Sequence, residues 1–354
     1  MFHIGGRAIG DKHPCYITYE IGPTHNGFES AKRLIKLAAE AGADAVKFQI
    51  FDPDRLVADK QQLFSYGVLV NRDTEEVETI EEPLYDILKR RSLSESEWRK
   101  IKAYTDSLGL AFFATVGFDD DVDFLEGLGC HSIKIASADV NHFPLLRKVA
   151  RTGMCLQLDT GMATLGEIES AIDTIRSEGN ENIVIHQCPS GYPARLESIN
   201  LSIILTLKQM FPYPVAYSDH TPGAEMDIAA VAMGANLVEK TITEDRMTRS
   251  VEHVFSLEPQ EMKKFVRTIR EVEIGIGSSR RILHEEEKKT RKAIRRSVFL
   301  KGAAKAGTRL GDCDVEFRRP GFGIPPDLYE LILDRRLSRD VQAGEILKLD
   351  DFLG

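Results

Sequence analysis

The sequence predicts a (β/α)8 barrel followed by a small, mostly β domain. Eight short apolar runs of strand length alternate with amphipathic segments of helix length, which is the order of elements in a parallel barrel. Small residues around a glycine precede several of these runs, as expected where a helix ends and the chain turns into the next strand. Beyond residue 297 the chain has short apolar runs, Gly and Pro, which indicates a separate β domain.

Each element is predicted from the period of its apolar residues. Strands are expected at residues 15–21, 44–50, 110–115, 132–137, 154–158, 182–187, 213–218 and 236–242. Helices are expected at residues 29–41, 94–108, 119–128, 142–152, 164–178, 199–210, 224–233 and 259–276. Two helix starts, Ser94-x-x-Glu97 and Thr164-x-x-Glu167, match the capping-box pattern.

The domain boundaries are predicted from changes in composition. We expect a catalytic barrel over residues 1–277, a charge-dense helical linker over 278–296 and the small domain over 297–354. Residues 52–93 form a long, polar and acidic insertion after the second strand. A segment of that length on the catalytic face is more often a lid or an interface than disordered.

Composition excludes some classes of partner. The formal net charge of -9 over 354 residues argues against nucleic acid or an anionic membrane as the main partner. The five cysteines are scattered without a C-x-x-C pair, so they are expected to be reduced. Residues 1–20 lack the pattern of a signal peptide, and no 18-residue apolar stretch is present. We therefore expect a cytoplasmic protein.

Charged and polar side chains lie where the predicted strands end. These are Glu20, Lys47, Gln49, Thr115, Lys134, Ser137, Asp159, 187–190, 218–220 and 239–241. An amine in an apolar strand is costly to bury unless an anion meets it. Because strand ends of a barrel meet at one face, two lysines and several hydroxyls there suit a phosphate and a carboxylate on one small molecule. Acids and a histidine among them suit a divalent cation or proton transfer.

Each of these residues also has a structural interpretation. Lys47 and Lys134 could each be salt-bridged to a glutamate of a neighbouring strand. Ser218-Asp219-His220 could be a capped turn, and Tyr192-Pro193 a loop anchor. The combination at one barrel face favours an enzyme site, because many independent coincidences would otherwise be required.

Several segments resemble the signature segments of sialic acid synthases, the phosphoenolpyruvate-dependent nonulosonate synthases. They are residues 19–27 (YEIGPTHNG), 45–49 (AVKFQ), 134–137 (KIAS), 160–162 (TGM) and 217–221 (YSDHT). Residues 318–326 (RRPGFGIPP) resemble the antifreeze-like (SAF) domain of that family. The resemblance runs through nearly the whole chain in order.

The resemblance implies a condensation of phosphoenolpyruvate with the open-chain aldehyde of an N-acylated hexosamine, either a mannosamine derivative or a diacetamido sugar. C3 of the enol attacks the aldehyde carbon while a divalent metal, Mn²⁺ or Mg²⁺, polarises the aldehyde oxygen. Water then adds at C2, and phosphate leaves with C–O cleavage. The products are a nonulosonic acid and phosphate.

The resemblance also implies roles for individual residues. Substrate phosphate and carboxylate would be held by Lys47, Lys134, Ser137 and Ser190, in a region also lined by Gln49 and Thr115. Glu20 would handle protons, and Glu239 would contact metal-bound water or substrate. His220 would be a metal ligand with Ser218 beside it, and Tyr192 would flank the substrate. Arg319 would reach the partner barrel and bind the N-acyl group, which implies a domain-swapped homodimer.

Two positions depart from the family pattern. Thr241 stands where the family has its second metal-binding histidine, and a hydroxyl is a poor substitute for imidazole. His253 is the candidate replacement, with Glu252 taking the place of the sugar-binding aspartate. Asp159 stands where the family has serine, and its charge is unfavourable unless it pairs with a lysine or meets the sugar.

Two other functions stay open at this point. A Schiff-base aldolase or lyase could use Lys134 as nucleophile on the same barrel. A non-catalytic sugar-binding relative could have lost activity through the change at Thr241.

Overall fold

The structure, a computed structural model, describes residues 2–353 and divides into two units. The first unit ends at Gly277 and the second begins at Ser278. Among the helices of residues 2–353, none combines the length with the hydropathy that a transmembrane span requires. All five cysteines are free thiols.

Eight parallel strands of the first unit close into a barrel, which confirms the predicted fold class. The strands of this unit are β1 (Phe2–Ile4), β2 (Arg7–Ile9), β3 (Tyr16–Glu20), β4 (Ala45–Gln49), β5 (Leu63–Asn71), β6 (Glu76–Pro83), β7 (Ala111–Thr115), β8 (Ser132–Ile135), β9 (Cys155–Asp159), β10 (Ile183–Gln187), β11 (Val215–Asp219) and β12 (Leu237–Thr241). The barrel consists of β3, β4 and β7 to β12, and β12 pairs with β3 to close it.

Helices surround the barrel and separate its strands. They are α1 (Phe28–Ala41), α2 (Pro53–Leu56), α3 (Leu84–Lys89), α4 (Glu95–Ser107), α5 (Asp119–Gly127), α6 (Phe143–Arg151), α7 (Leu165–Ser177), α8 (Leu196–Ile199), α9 (Ile203–Met210), α10 (Glu225–Ala232) and α11 (Pro259–Ile276). Both predicted capping boxes are present, at the starts of α4 and α7. Gly42 ends α1 in the left-handed conformation with φ 87°, which favours glycine.

Alternation along the barrel strands decides which side chains point inward. One set packs outward against the helices, for example Ile17 and Tyr19 of β3. The other set points into the barrel, and its lowest members form a separate apolar cluster: Tyr16, Ala45, Phe113, Cys155, Val184, Ala216 and Leu237. Ile4 and Ile9 of the β1–β2 hairpin pack on this cluster and cover the end of the barrel that lies away from the strand C-termini.

The 52–93 insertion is ordered. It contains α2, the antiparallel β5–β6 hairpin and α3. Tyr66, Val68 and Ile87 of the insertion pack with Val251 of the loop that follows β12. The insertion therefore has its own small apolar core on the side of the barrel where the strands end.

The second unit is small and contains mostly short β pairings. Its elements are α12 (Glu285–Ile294), β13 (Ser297–Leu300), β14 (Val315–Arg318) and α13 (Pro326–Tyr329). β13 pairs antiparallel with β14, and isolated bridges join other segments. Its core contains Val298, Leu300, Leu310, Ile324, Ile332, Leu337, Val341, Leu347 and Phe352.

Candidate active site

A cavity of about 380 Å³ lies among the C-terminal ends of the barrel strands. Most of the predicted site residues line it: Glu20, Lys47, Gln49, Thr115, Ser137, Asp159, Tyr192, Ser218, His220, Glu239 and Glu252. The members of this set that lie on strands point into the barrel, because each comes two or four residues after an inward apolar residue of the same strand. The cavity is thus built from the residues that the sequence placed together.

Glu239 of β12 joins the two predicted substrate-binding lysines. Its Oε1 lies 3.5 Å from the Nζ of Lys47, and its Oε2 lies 2.7 Å from the Nζ of Lys134. Lys47 also forms an ion pair with Glu20. Lys134 is fully buried and does not itself line the cavity, so it lies beneath the floor that Glu239 and Asp159 form. The two ammonium groups therefore converge on one carboxylate.

Asp159 pairs with a lysine. Its Oδ1 lies 3.0 Å from the Nζ of Lys134, so Lys134 lies between two carboxylates. The floor therefore contains three carboxylates, those of Glu20, Glu239 and Asp159, together with the Lys47 ammonium, and the Lys134 ammonium lies directly beneath it. Each lysine thus meets protein carboxylates, as the structural interpretation expects, and a cavity lies beside the cluster as well.

The pKa values of this cluster follow from burial and charge. Burial alone would lower the pKa of Lys47 and of Lys134, but the neighbouring carboxylates outweigh it and raise both. Burial would raise the pKa of Glu239, yet the two lysines hold it well below its usual range. For Glu20, burial dominates over the Lys47 charge and raises the pKa. Glu20 is therefore the cavity carboxyl next to Lys47 that most readily carries a proton.

His186 supports Lys134 and was missed in the sequence. Its Nδ1 accepts from the Lys134 ammonium at 3.2 Å, which leaves Nε2 to donate to Gln157 Oε1 at 3.0 Å. Burial holds the pKa of His186 well below its usual value, in accord with a neutral ring. Strand alternation could have indicated it, because His186 comes two residues after Val184 on β10 and therefore points to the same, inward side.

His220 has the geometry of a metal ligand. Its Nδ1 donates to the backbone oxygen of Pro189 at 3.0 Å, so Nε2 bears the lone pair. Burial lowers its pKa to about 4, which keeps the ring neutral. The ring of Tyr192 packs on it with centroids 4.6 Å apart.

A second metal ligand does not join His220. Thr241 Oγ1 donates to Glu252 Oε2 at 3.3 Å, and His253 does not line the cavity because its Nδ1 lies 2.7 Å from Thr243 Oγ1. Over residues 2–353, no three His, Cys, Asp or Glu side chains converge to hold an ion. The residues do not fit a metal centre with a full set of protein ligands, and no step below is routed through a metal.

Like Lys134, the predicted substrate-binding residue Ser190 does not line the cavity. Ser190 is exposed, and its Oγ donates to Gly161 O at 3.2 Å. A side chain at Gly161 would meet Cys188 O at 2.4 Å, so glycine lets these two loops approach. Arg319 is exposed in the second unit.

Lys240 does not belong to this site, although it was grouped with the strand ends. It points outward from β12 and forms ion pairs with Asp219 and Asp227 in a fully buried cluster. Its neighbour Glu239 points inward, because adjacent strand residues face opposite sides. That part of the prediction is wrong.

The insertion supplies one wall of the cavity, which the sequence did not assign. Its contributions are Leu56, Phe64, Leu84, Ile87, Leu88 and Arg91. The loop after β12 adds Glu252, whose φ of 69° is unusual for a residue other than glycine. Such a conformation in a cavity wall is typical of functional sites.

Two family models match this chain. The model of the NeuB family matches residues 34–281, and that of the SAF domain matches residues 295–353. The first match covers the barrel strands from β4 onward, and the second covers most of the second unit.

Two synthases and one solved structure are similar to most of this chain. The N,N'-diacetyllegionaminic acid synthase of Legionella pneumophila is 37% identical over 97% of this chain and 96% of its own length. The human N-acetylneuraminate-9-phosphate synthase is 32% identical over 92% of this chain and 90% of its own. The crystal structure of an N-acetylneuraminic acid synthetase from Leptospira borgpetersenii superposes with a TM-score of 0.71 and 28% identity, over 82% of this chain and 94% of that one.

Proposed function

The chain belongs to the NeuB family, and from that premise we propose that it condenses phosphoenolpyruvate with an N-acylated amino sugar to form a nonulosonic acid and phosphate. The observation that carries the proposal is the convergence of Lys47 and Lys134 on Glu239 at the floor of the cavity. Relatives named as synthases of nonulosonic acids support it.

In this proposal phosphoenolpyruvate binds over the floor. Lys47 lines the cavity together with the hydroxyls of Thr115 and Ser137, a set suited to phosphate and carboxylate oxygens. Lys134, behind Glu239, keeps that carboxylate ionised and in place. The Lys47 ammonium would then contact the substrate anions as well as the carboxylates of Glu20 and Glu239.

The reaction joins C3 of phosphoenolpyruvate to the aldehyde carbon of the sugar, and the aldehyde oxygen takes up a proton. Water then adds at C2 and loses a proton. The C2–O bond to phosphate breaks as the new C2 hydroxyl becomes a carbonyl, and the proton of that hydroxyl leaves with the phosphate. Glu20 suits proton transfer, because burial raises its pKa above that of an ordinary glutamate. It is also held in place by the backbone N–H of Gly22, at 2.6 Å.

The structure argues against the Schiff-base alternative. A nucleophilic lysine must be neutral, but Asp159 and Glu239 favour the charged form of Lys134, whose pKa is raised. Lys134 also does not line the cavity. Borohydride with pyruvate is therefore expected to trap no adduct on Lys134.

The non-catalytic alternative receives less support than catalysis. Lys47, Glu20 and His220 are all directed at the cavity, and a protein that only bound sugar would not need them. Phosphate release from phosphoenolpyruvate against a panel of N-acylated amino sugars tests the proposal. Release that depends on both substrates supports it, and no release with any sugar or divalent ion would favour a binding protein.

Members of the family generally depend on a divalent metal. For this chain we propose Mn²⁺ or Mg²⁺, with His220 as the protein ligand and the remaining positions left to water and substrate. Because a single imidazole is a weak site, chelated enzyme is expected to regain activity at millimolar rather than micromolar metal. Restoration at micromolar Mn²⁺, lost in His220→Ala, would contradict the weak site and point to further protein ligands.

Arg319 is proposed to bind the N-acyl group in the partner barrel of a domain-swapped homodimer. Arg319→Ala is then expected to raise the KM for the sugar about tenfold or more while leaving the KM for phosphoenolpyruvate nearly unchanged. Arg318→Ala is a matched control, because Arg318 instead packs over the Phe299 ring. An unchanged sugar KM would remove the case for this role, and sedimentation showing a monomer would remove the dimer.

A further inference from the structure

Arg91 is a buried cation on the wall of the cavity. It follows α3 at the end of the insertion and is 9% exposed. Its Nη2 donates to Ser250 Oγ at 2.9 Å. Burial lowers its pKa to about 10, so the guanidinium is charged at neutral pH.

Arg91 lacks the protein anion that such a group normally has. Within residues 2–353, no carboxylate forms an ion pair within 4.0 Å of its guanidinium, and the charge of Glu252, which lines the same cavity, acts on it only from a longer distance. The preceding residue, Arg90, shows the contrast, because it binds both oxygens of Glu82 at 2.8 and 2.6 Å. Lys47 and Lys134 are likewise paired.

A guanidinium that is withdrawn from water and left without an anion is unfavourable. Because Arg91 faces a cavity, a bound ligand is the available source of the missing charge. The planar guanidinium matches two oxygens of a phosphate or a carboxylate.

The position of Arg91 separates it from the floor of the site. Arg91 and Gln49 also line a smaller adjoining cavity. Gln49 is the next inward residue after Lys47 on β4, roughly 7 Å further toward the mouth at the usual strand rise. The floor with Lys47 is where the proposed function places phosphoenolpyruvate, so Arg91 faces the region left for the acceptor.

We propose that Arg91 binds a phosphate or carboxylate group of the acceptor, so that the preferred acceptor is an acidic N-acylated amino sugar. This inference rests on the proposed function. Arg91 would act as a specificity-determining residue, because a neutral sugar leaves the buried guanidinium without an anion.

The test compares N-acetylmannosamine with its 6-phosphate and with an N-acetylated amino sugar that carries a carboxylate. Consumption of phosphoenolpyruvate is measured for the wild type, Arg91→Gln, Arg91→Lys and the control Arg90→Gln. The wild type is expected to prefer an acidic acceptor by about tenfold or more in kcat/KM. Arg91→Gln should lose this preference through the acceptor KM, Arg91→Lys should keep part of it, and Arg90→Gln should keep all of it.

Three results would overturn the inference: a wild type that prefers the neutral sugar, an Arg91→Gln variant with unchanged acceptor KM, or one that raises only the KM for phosphoenolpyruvate. Calorimetric titration of the same acceptors separates this inference from the proposed function. Binding of an acidic sugar that Arg91→Gln abolishes, without turnover, would support the role of Arg91 and refute the synthase. Thermal stability distinguishes a structural role, because Arg91→Gln is expected to melt no lower than the wild type.

Discussion

Lys134→Ala is expected to reduce phosphate release from phosphoenolpyruvate by about a thousandfold or more, with the fold retained by circular dichroism. Removal of the ammonium leaves Glu239 and Asp159 facing each other without a cation beneath the substrate. The negative charge would repel the substrate anions, and electrostatic groups of this kind often supply the largest part of catalysis. Initial rates with both substrates at saturation check the expectation.

Lys134→Met keeps the apolar stem of the side chain and guards against loss by misfolding of the alanine variant. Lys102→Ala is the control, because Lys102 pairs with Asp106 on α4, outside the cavity. Activity of either Lys134 variant within tenfold of the wild type would show that Lys134 has no part in the site.

Lys240→Met is expected to lower the free energy of unfolding by about 3–5 kcal/mol, because it strands buried carboxylates. Asp219 and Asp227 are fully buried around Lys240, and no solvent can replace the ammonium. Urea unfolding of the two proteins measures the difference. The double variant Lys240→Met/Asp219→Asn should recover part of the loss, because Asp219 is the carboxyl whose pKa Lys240 holds below its usual value against the effect of burial.

A loss below about 1 kcal/mol would mean that the cluster tolerates an unpaired carboxylate, which would contradict the assignment of Lys240 to structural support. The comparison with Lys134 is informative because both are buried lysines of barrel strands. Substitution of Lys134 is expected to reduce the rate of phosphate release, whereas substitution of Lys240 is expected to lower the free energy of unfolding.

Strand alternation explains how much of the site could be predicted. Lys47 and Gln49 on β4 are two residues apart, as are Glu239 and Thr241 on β12, so each pair faces the same side. The same period, applied strictly, would have excluded Lys240 and included His186. Barrel geometry then brings these strand ends together whatever their separation in sequence.

The remaining features depend on contacts that alternation does not determine. Arg91 lies in the insertion, outside the barrel register, and the insertion is joined to the loop after β12 by an apolar cluster that includes Ile87 and Val251. The side chain of His253 lies against Thr243 rather than in the cavity because of the turn that follows β12. No local pattern in the sequence indicates either arrangement.

The central claim is tested most directly by calorimetric measurement of the affinity of phosphoenolpyruvate for the wild type and for Lys47→Met. The claim is that the substrate anion binds beside Lys47, in the cluster where Glu239 contacts both Lys47 and Lys134. We expect one molecule bound per chain, with affinity reduced by about a hundredfold in the variant, as for loss of a charge-assisted contact. Equal affinity of the two proteins for phosphoenolpyruvate, or no binding to the wild type, would contradict it.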